Sequence, residues 1–373
     1  MVSKKIVRKL HLWLGLSSGI IVCLLCLSGA TFVFAEEIMH AYNKENLYVE
    51  VEGKRVEIDS IVAKFKKNHP TEQYFWINTY NNPKRSFDVV SGVMEEGASM
   101  PILKITFINP YTNKEIADDA KSIHFFFLVA HFHSQLLLGN FGLWIIRIAS
   151  LIFLVELIFG LVLWWPKSKN EARSAFKPKY PASRKRMNHD FHRVYGFYAC
   201  WLLLISVVTG LVMSFEWVEK PVIALFGGYS ELVGENPPQA DFNENKQFKS
   251  LQFIYNEFEK TAPKDYKLTL MAIQEKMPTS QLILLDKGNR FLHLYGDNQV
   301  VDRYTGVQLD KPLIAKFEKN QSILDTNLDI HMGTIGGLPT QILALLIGLF
   351  GASLPITGFF IWWGRRKKLK KEK

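Results

Sequence analysis

Residues 189–217 read His-Asp-Phe-His-Arg-Val-Tyr-Gly-Phe-Tyr-Ala-Cys-Trp-Leu-Leu-Leu-Ile-Ser-Val-Val-Thr-Gly-Leu-Val-Met-Ser-Phe-Glu-Trp. A polar opening with a histidine leads into an apolar run long enough to cross a bilayer, for which about 20 helical residues suffice. Moved back by 181 positions, the frame recurs: His192 falls on His11, Gly196 on Gly15, Gly210 on Gly29 and Phe215 on Phe34. A membrane helix that carries the same histidine and glycines twice is a repeat unit.

A second correspondence runs at a different offset. The stretch from His133 to Trp164-Trp165 is mirrored by His331 to Trp362-Trp363, 198 positions later, with Gly139 on Gly337 and Gly160 on Gly358. The apolar runs are 12–35, 141–165, 193–217 and 338–363. They lack the alternation of membrane barrel strands, so a spanning backbone must be helical. The first run is too long for a signal peptide core, and its match to 192–217 argues that it is retained. The expected fold class is membrane α-helical, with four transmembrane helices arranged as two tandem helix–domain–helix repeats. The expected segments are 1–35 (N-terminus and helix), 36–140 (domain), 141–165 (helix), 166–190 (basic loop), 191–217 (helix), 218–337 (domain) and 338–373 (helix and basic tail).

Charge sets the orientation. Residues 1–10, 166–190 and 364–373 hold nineteen Lys and Arg against three acidic residues, whereas the whole chain carries only +10. Such excess in short loops beside spans places those loops, and both termini, in the cytoplasm. The high pI therefore belongs to the bilayer and not to nucleic acid. Cys23, Cys26 and Cys200 all fall within spans, so the outer segments offer neither a disulfide framework nor a cysteine zinc site. The cysteines read as packing residues.

Both outer segments read as small α+β units with an antiparallel sheet. Ile58, Ile61, Val62 and Phe65 have helical spacing, and strands are predicted at Gln73–Tyr80, Ser86–Val90 and Ile102–Ile108. In the second segment a helix is predicted over Phe248–Phe258, with strands at Leu282–Asp286, Arg290–Tyr295 and Gln299–Asp302. Turns follow at Asn109-Pro110-Tyr111-Thr112-Asn113 and Asp302-Arg303-Tyr304-Thr305-Gly306. Helices Lys121–Leu138 and Leu313–Leu324 then lead back to the membrane.

A helix opening His-x-x-x-Gly, a domain with an Asp/Asn-Pro-Tyr-Thr-Gly-like turn and a helix closing on Gly-x-x-x-Trp-Trp resemble the PepSY-associated transmembrane proteins. These are iron-uptake-associated bacterial inner-membrane proteins that include ferric-siderophore reductases. The resemblance covers nearly the whole chain and implies a haem-containing reductase with two periplasmic PepSY-like domains.

Four repeat-related histidines then become candidates. His11 and His192 lie at the cytoplasmic ends of their helices, and His133 and His331 precede the returning helices on the outer side. Ligands at opposite ends of a bilayer cannot share one iron, so the pairs are His11 with His192 and His133 with His331. A twofold arrangement would place one imidazole on each face of a haem, giving two haem b groups. His189 and His131 are alternates for their neighbours, while His40 and His69 read as solvated loop residues. On a helix His11 and Gly29 share a face, as do His192 and Gly210, which admits either a porphyrin or a neighbouring helix. Arg147 and Arg193 are candidate propionate partners, and Glu156 is an intramembrane carboxylate with a proton-linked or structural role. Neither Arg147 nor Glu156 has a counterpart in the last helix, where Leu345 and Leu354 stand. Six tryptophans (Trp144, Trp164, Trp165, Trp217, Trp362, Trp363) fit an aromatic belt.

No dinucleotide loop, P-loop, nucleophile elbow or zinc-protease motif is present. The expected activity is outward electron transfer to a periplasmic ferric siderophore, releasing Fe(II), with electrons from quinol or a cytoplasmic donor. The rivals are a non-catalytic membrane-anchored PepSY module that binds a protease or envelope partner, and a component that transports iron itself.

Overall fold

The computed structural model describes residues 3–96, 100–235, 246–260, 267–271, 281–286, 297–302, 304–306 and 312–371. The chain divides into two compact units. One contains residues 1–33, 128–222 and 326–373, and the other contains 34–127 and 223–325.

The first unit is built on long apolar helices. They are α1 (Lys4–Phe32), α5 (Gly139–Trp164), α8 (Gly196–Ser214) and α12 (Leu338–Lys371). Arg184–Ser214, which joins α7 (Arg184–Asp190) through a π-turn at Phe191–Tyr195 to α8, makes the third stretch long and apolar enough to span a membrane. Against the apolar runs, α1 begins eight residues before position 12 and α12 runs eight residues past position 363, because the flanking basic residues continue the helix. Helix α1 packs on α5 and α12, and α8 packs on the same two, so α1 and α8 stand diagonally across the bundle. Leu157, Ala199, Cys200, Leu203 and Val207 form one buried cluster between α5 and α8. Small residues let the backbones approach: a Cβ on Gly348 would stand 3.0 Å from Cβ of Ala30. Trp164 departs from the belt expectation. It is buried, stacked on Phe197 at 3.6 Å between ring centres, and it donates to the carbonyl of Ala175 in α6 (Lys169–Phe176). A satisfied indole N–H lets that ring leave the interface for the interior. Trp144, Trp165, Trp217 and Trp363 are exposed.

The second unit is a seven-stranded antiparallel sheet in the order β4-β3-β2-β1-β5-β6-β7. The strands are β1 (Gln73–Tyr80), β2 (Phe87–Val93), β3 (Ile102–Ile108), β4 (Glu115–Asp119), β5 (Lys267–Met271), β6 (Gln281–Asp286) and β7 (Asp297–Val301). Where two separate sheets are predicted, the strands of both segments join in one through the β1–β5 pair. The physical reason is that two small sheets would each leave an unpaired edge, and pairing them removes both. Helices α3 (Ile58–Asn68) and α10 (Leu251–Glu259) begin 193 residues apart, and the same spacing separates Ile77 from Leu270, which face each other at the junction. The strand predicted at Arg290–Tyr295 lies outside the described residues.

The two helices cap each other. Asp59 of α3 accepts from the backbone N–H groups of Leu251 (2.9 Å) and Gln252 (2.8 Å), while the Gln252 side chain accepts from Ile58 N–H at 2.8 Å. A carboxylate at a helix N-terminus satisfies orphan donors and opposes the dipole. Beneath them Ile58, Ile61, Phe65, Ile77, Phe87, Ile254 and Val301 are buried in one core. The two turns have one geometry. Asn109 accepts from Tyr111 and Thr112 N–H, and Asp302 accepts from Tyr304 and Thr305 N–H. The fifth residue is left-handed in both, Asn113 (φ 54°) and Gly306 (φ 73°), which is why Asn or Gly stands there. The remaining helices are α2 (Ala35–Tyr42), α4 (Lys121–Gln135), α9 (Glu216–Leu225) and α11 (Pro312–Met332).

His69 is not a solvated loop residue, and His40 lies in α2. The His69 ring lies 3.0 Å from carboxylates on both sides, Nδ1 facing Glu72 and Nε2 facing Glu115. Lys104 donates to the same Glu72 oxygen, and Ser91 to the other. Burial opposes ionisation of Glu72, but hydrogen bonds from Lys104 and Ser91 and the charges of Lys104 and His69 outweigh it and hold its carboxyl below its ordinary value. Glu115 is also lowered: burial raises it, and the Asn68 and His69 hydrogen bonds with the His69 charge overcome that. A carboxyl lowered by folding contributes stability above its unfolded value, about 4.3, and loses it as pH falls through the native value. Replacing Glu72 with glutamine should therefore flatten the loss of proteolytic resistance of the sheet unit below pH 5, measured by limited proteolysis across pH. An unchanged acid profile would refute the role of this cluster.

Two histidine pairs as the candidate functional site

Four histidines of the helical unit meet in two pairs. His11 of α1 faces His192 of the π-turn, with ring centres 6.4 Å apart and planes inclined at 67°. His133 near the end of α4 faces His331 near the end of α11, with ring centres 6.1 Å apart and an angle of 57°. His192 sits in the only π-turn among the described residues, a one-turn irregularity that often marks a working position in a helix.

Three rings have Nδ1 held from behind by a hydrogen bond, and the fourth, His11, has it in an ion-pair contact outside hydrogen-bond geometry. His133 Nδ1 lies 3.0 Å from the Ser28 hydroxyl and 3.1 Å from the Leu25 carbonyl. His331 Nδ1 lies 3.0 Å from the Thr209 hydroxyl and 3.0 Å from the Ser206 carbonyl. His192 Nδ1 lies 2.9 Å from the Thr357 hydroxyl. His11 Nδ1 lies 2.8 Å from Oε2 of Glu156, a buried carboxylate. Since the backbone carbonyls can only accept, the Nδ1 of His133 and His331 carries the proton, and Nε2 is the lone-pair nitrogen. That is the second-sphere arrangement that fixes a metal-binding imidazole.

Each ring also rests on a glycine. A Cβ would stand 3.1 Å from His133 Cε1 at Gly29, 3.2 Å from His331 Cε1 at Gly210, 3.4 Å from His192 Cε1 at Gly358 and 3.8 Å from His11 Cε1 at Gly160. The glycines seat the rings, so the sequence reading that they admit either a porphyrin or a helix gains a third content. The hydroxyl holders went unread in the sequence, yet a signal exists. The residue preceding the seat glycine is Ser28, Thr209 and Thr357 in three cases, and Phe159 in the fourth.

The alternates lie elsewhere. His189 Nδ1 is 3.5 Å from Asp190, and it is His192 whose ring faces His11. Asp190 is buried and accepts from Lys179 N–H and Arg186 Nε, which ties the basic loop to the π-turn. His131 is half-buried, and it is His133 that meets His331. Arg193 follows His192 in the π-turn and is half-buried. The Arg147 guanidinium is held between Trp144 (5.1 Å) and Phe215 (5.4 Å), and its Nε is buried without a hydrogen bond.

Two imidazoles suit a metal that already has its other ligands. Metal–imidazole bonds run at about 2.0 Å, so two rings bound end-on to opposite faces of one ion have centres about 6.2 Å apart. The pairs stand at 6.4 and 6.1 Å. Among the described residues no group of three or more His, Cys, Asp and Glu could hold a bare metal ion. A family described as "PepSY-associated TM region" matches residues 8–365, and the chain belongs to it. Among curated proteins no match is found.

Proposed function

We propose that this PepSY-associated TM protein is a membrane haem reductase that passes electrons across the bilayer to a periplasmic ferric siderophore and releases Fe(II). The observation that supports it most is that the four repeat-related histidines meet as two pairs with ring centres 6.4 and 6.1 Å apart. A haem bound at each pair would supply one-electron redox chemistry, and the two imidazoles of the pair would be the residues that hold it. His11 and His192 would hold one haem, and His133 and His331 the other. The excess of Lys and Arg in the short loops supports a cytoplasmic side for the first pair and a periplasmic side for the second. The matched positions 181 and 198 apart support a tandem duplication whose halves each give one ring to each pair.

The chain's own groups do the positioning. Ser28, Thr209, Thr357 and Glu156 hold Nδ1 and leave Nε2 for the iron. The seat glycines let the rings lie close against α1, α5, α8 and α12. Arg147, with an unbonded buried Nε, is a partner for a propionate beside the second pair, and Arg193 for one beside the first. From His11 to Gly29, which seats His133, α1 rises about 27 Å, close to a hydrocarbon core of about 30 Å. One electron delivered to the chelated Fe(III) gives Fe(II), for which hard oxygen donors have less affinity, so the ion leaves. The donor is quinol or a cytoplasmic reductase.

The test is the visible spectrum of protein purified from haem-replete cells, oxidised and then dithionite-reduced. A Soret band with sharpened low-spin bands on reduction is expected, followed by reoxidation on adding a ferric hydroxamate. A preparation without a Soret band would overturn the reading.

A further inference from the structure

The four ring supports are not alike, and the exception has a chemical consequence. Three rings have Nδ1 on a neutral oxygen, from Ser28, Thr209 or Thr357, and these rings also meet a backbone carbonyl, of Leu25, Ser206 and Leu354. His11 alone faces a carboxylate, Glu156 Oε2 at 2.8 Å. The equivalent of Glu156 in the later half is Leu354, and the equivalent of Thr357 is Phe159. The hydroxyl that precedes the seat glycine elsewhere is thus missing before Gly160, and a charged acceptor one turn earlier replaces it.

The exchange is built into the packing. A Cβ on Gly15 would stand 3.0 Å from Glu156 Oε2, so the absence of a side chain at position 15 gives the carboxylate its room. The matched Gly196 faces only the Leu354 side chain, at 3.6 Å. Glu156 is 9% exposed, its Oε1 makes no hydrogen bond, and no arginine or lysine pairs with it among the described residues. The carboxyl group therefore has one side-chain partner among the described residues, the His11 ring.

We propose that Glu156 is a positioning residue that sets the potential of the His11–His192 centre below that of the His133–His331 centre. This rests on the haem reading above. A carboxylate at ion-pair distance from Nδ1 makes the imidazole a stronger electron donor through Nε2, which favours ferric over ferrous iron. The second pair has neutral supports on both sides and lacks that push. Electrons handed from the first centre to the second then move toward the more easily reduced site, and the asymmetry gives the path a direction.

A potentiometric titration of the full-length protein in lipid nanodiscs, followed in the α-band, tests this. Two one-electron waves are expected in the wild type. In Glu156→Gln the lower wave moves upward by a tenfold change or more in the ferric-to-ferrous ratio, about 59 mV, and the upper wave stays. The double change Glu156→Leu with Phe159→Thr gives the His11 ring the same kind of support as His192, and it should raise the lower wave likewise. If Glu156→Gln loses that haem, the double variant decides with the same readout. Two waves that stay put in the haem-bearing variants overturn the proposal while leaving the haem reading intact. A wild type with no Soret band is the failure of the haem reading itself.

Discussion

Replacing His331 by alanine should remove half of the Soret absorbance per polypeptide, or convert that half from a low-spin to a high-spin spectrum. Replacing His192 should do the same to the other half. The independence follows from the supports: the His331 ring is held by Thr209 and Ser206 of α8, and the His192 ring by Thr357 of α12. The pairs share no side chain, so loss of one leaves the holders of the other in place. If each pair holds a haem, loss of one imidazole would either release it or change its spin state, and both outcomes would be visible in the α-band and by EPR. The double variant should show no low-spin signal. Equal retention of unaltered low-spin haem in both single variants would refute the pairing.

Much of this architecture was legible because it is written in periodic chemistry. The four apolar runs are long enough to admit one reading, and their histidines and glycines keep register over 181 and 198 positions. β1 and β3 were read to the residue from their apolar content. The misses have identifiable causes. β4, Glu-Ile-Ala-Asp-Asp, is an edge strand whose acidic composition argues against a strand, though charge is how edges are protected. β5 carries the buried Lys267, so its first residue reads as surface. The joining of the two sheets depends on an edge meeting an edge, and no local pattern encodes that. The ring supports were missed for a related reason. Hydroxyls inside membrane helices usually bond their own backbone, as Ser28 does to Leu24 and Thr209 to Ile205, and they look self-satisfied until the histidine arrives from a distant helix.

The seat glycines give the second large expected effect. Gly210→Leu should abolish the same centre as His331→Ala while leaving the His11–His192 centre intact. A Cβ there would already stand 3.2 Å from His331 Cε1, and the ring is held from the same helix by Thr209 and Ser206. A branched side chain needs several ångströms more, which can come only from pushing the ring off both acceptors. Gly29→Leu should act on the same centre through His133, where the space is 3.1 Å. Close helix packing alone predicts something else. If these glycines served only to bring backbones together, leucine would loosen the whole bundle and both centres would fall in parallel with thermal stability. Gly348, which faces Ala30 and the carbonyl of Cys26 rather than a ring, supplies the contrast. Gly348→Leu should lower the melting temperature without selecting one centre. Selective loss in Gly210→Leu and Gly29→Leu, set against unselective loss in Gly348→Leu, would separate a ring seat from a helix contact. Parallel loss in all three would return the glycines to the packing role that their spacing alone supports.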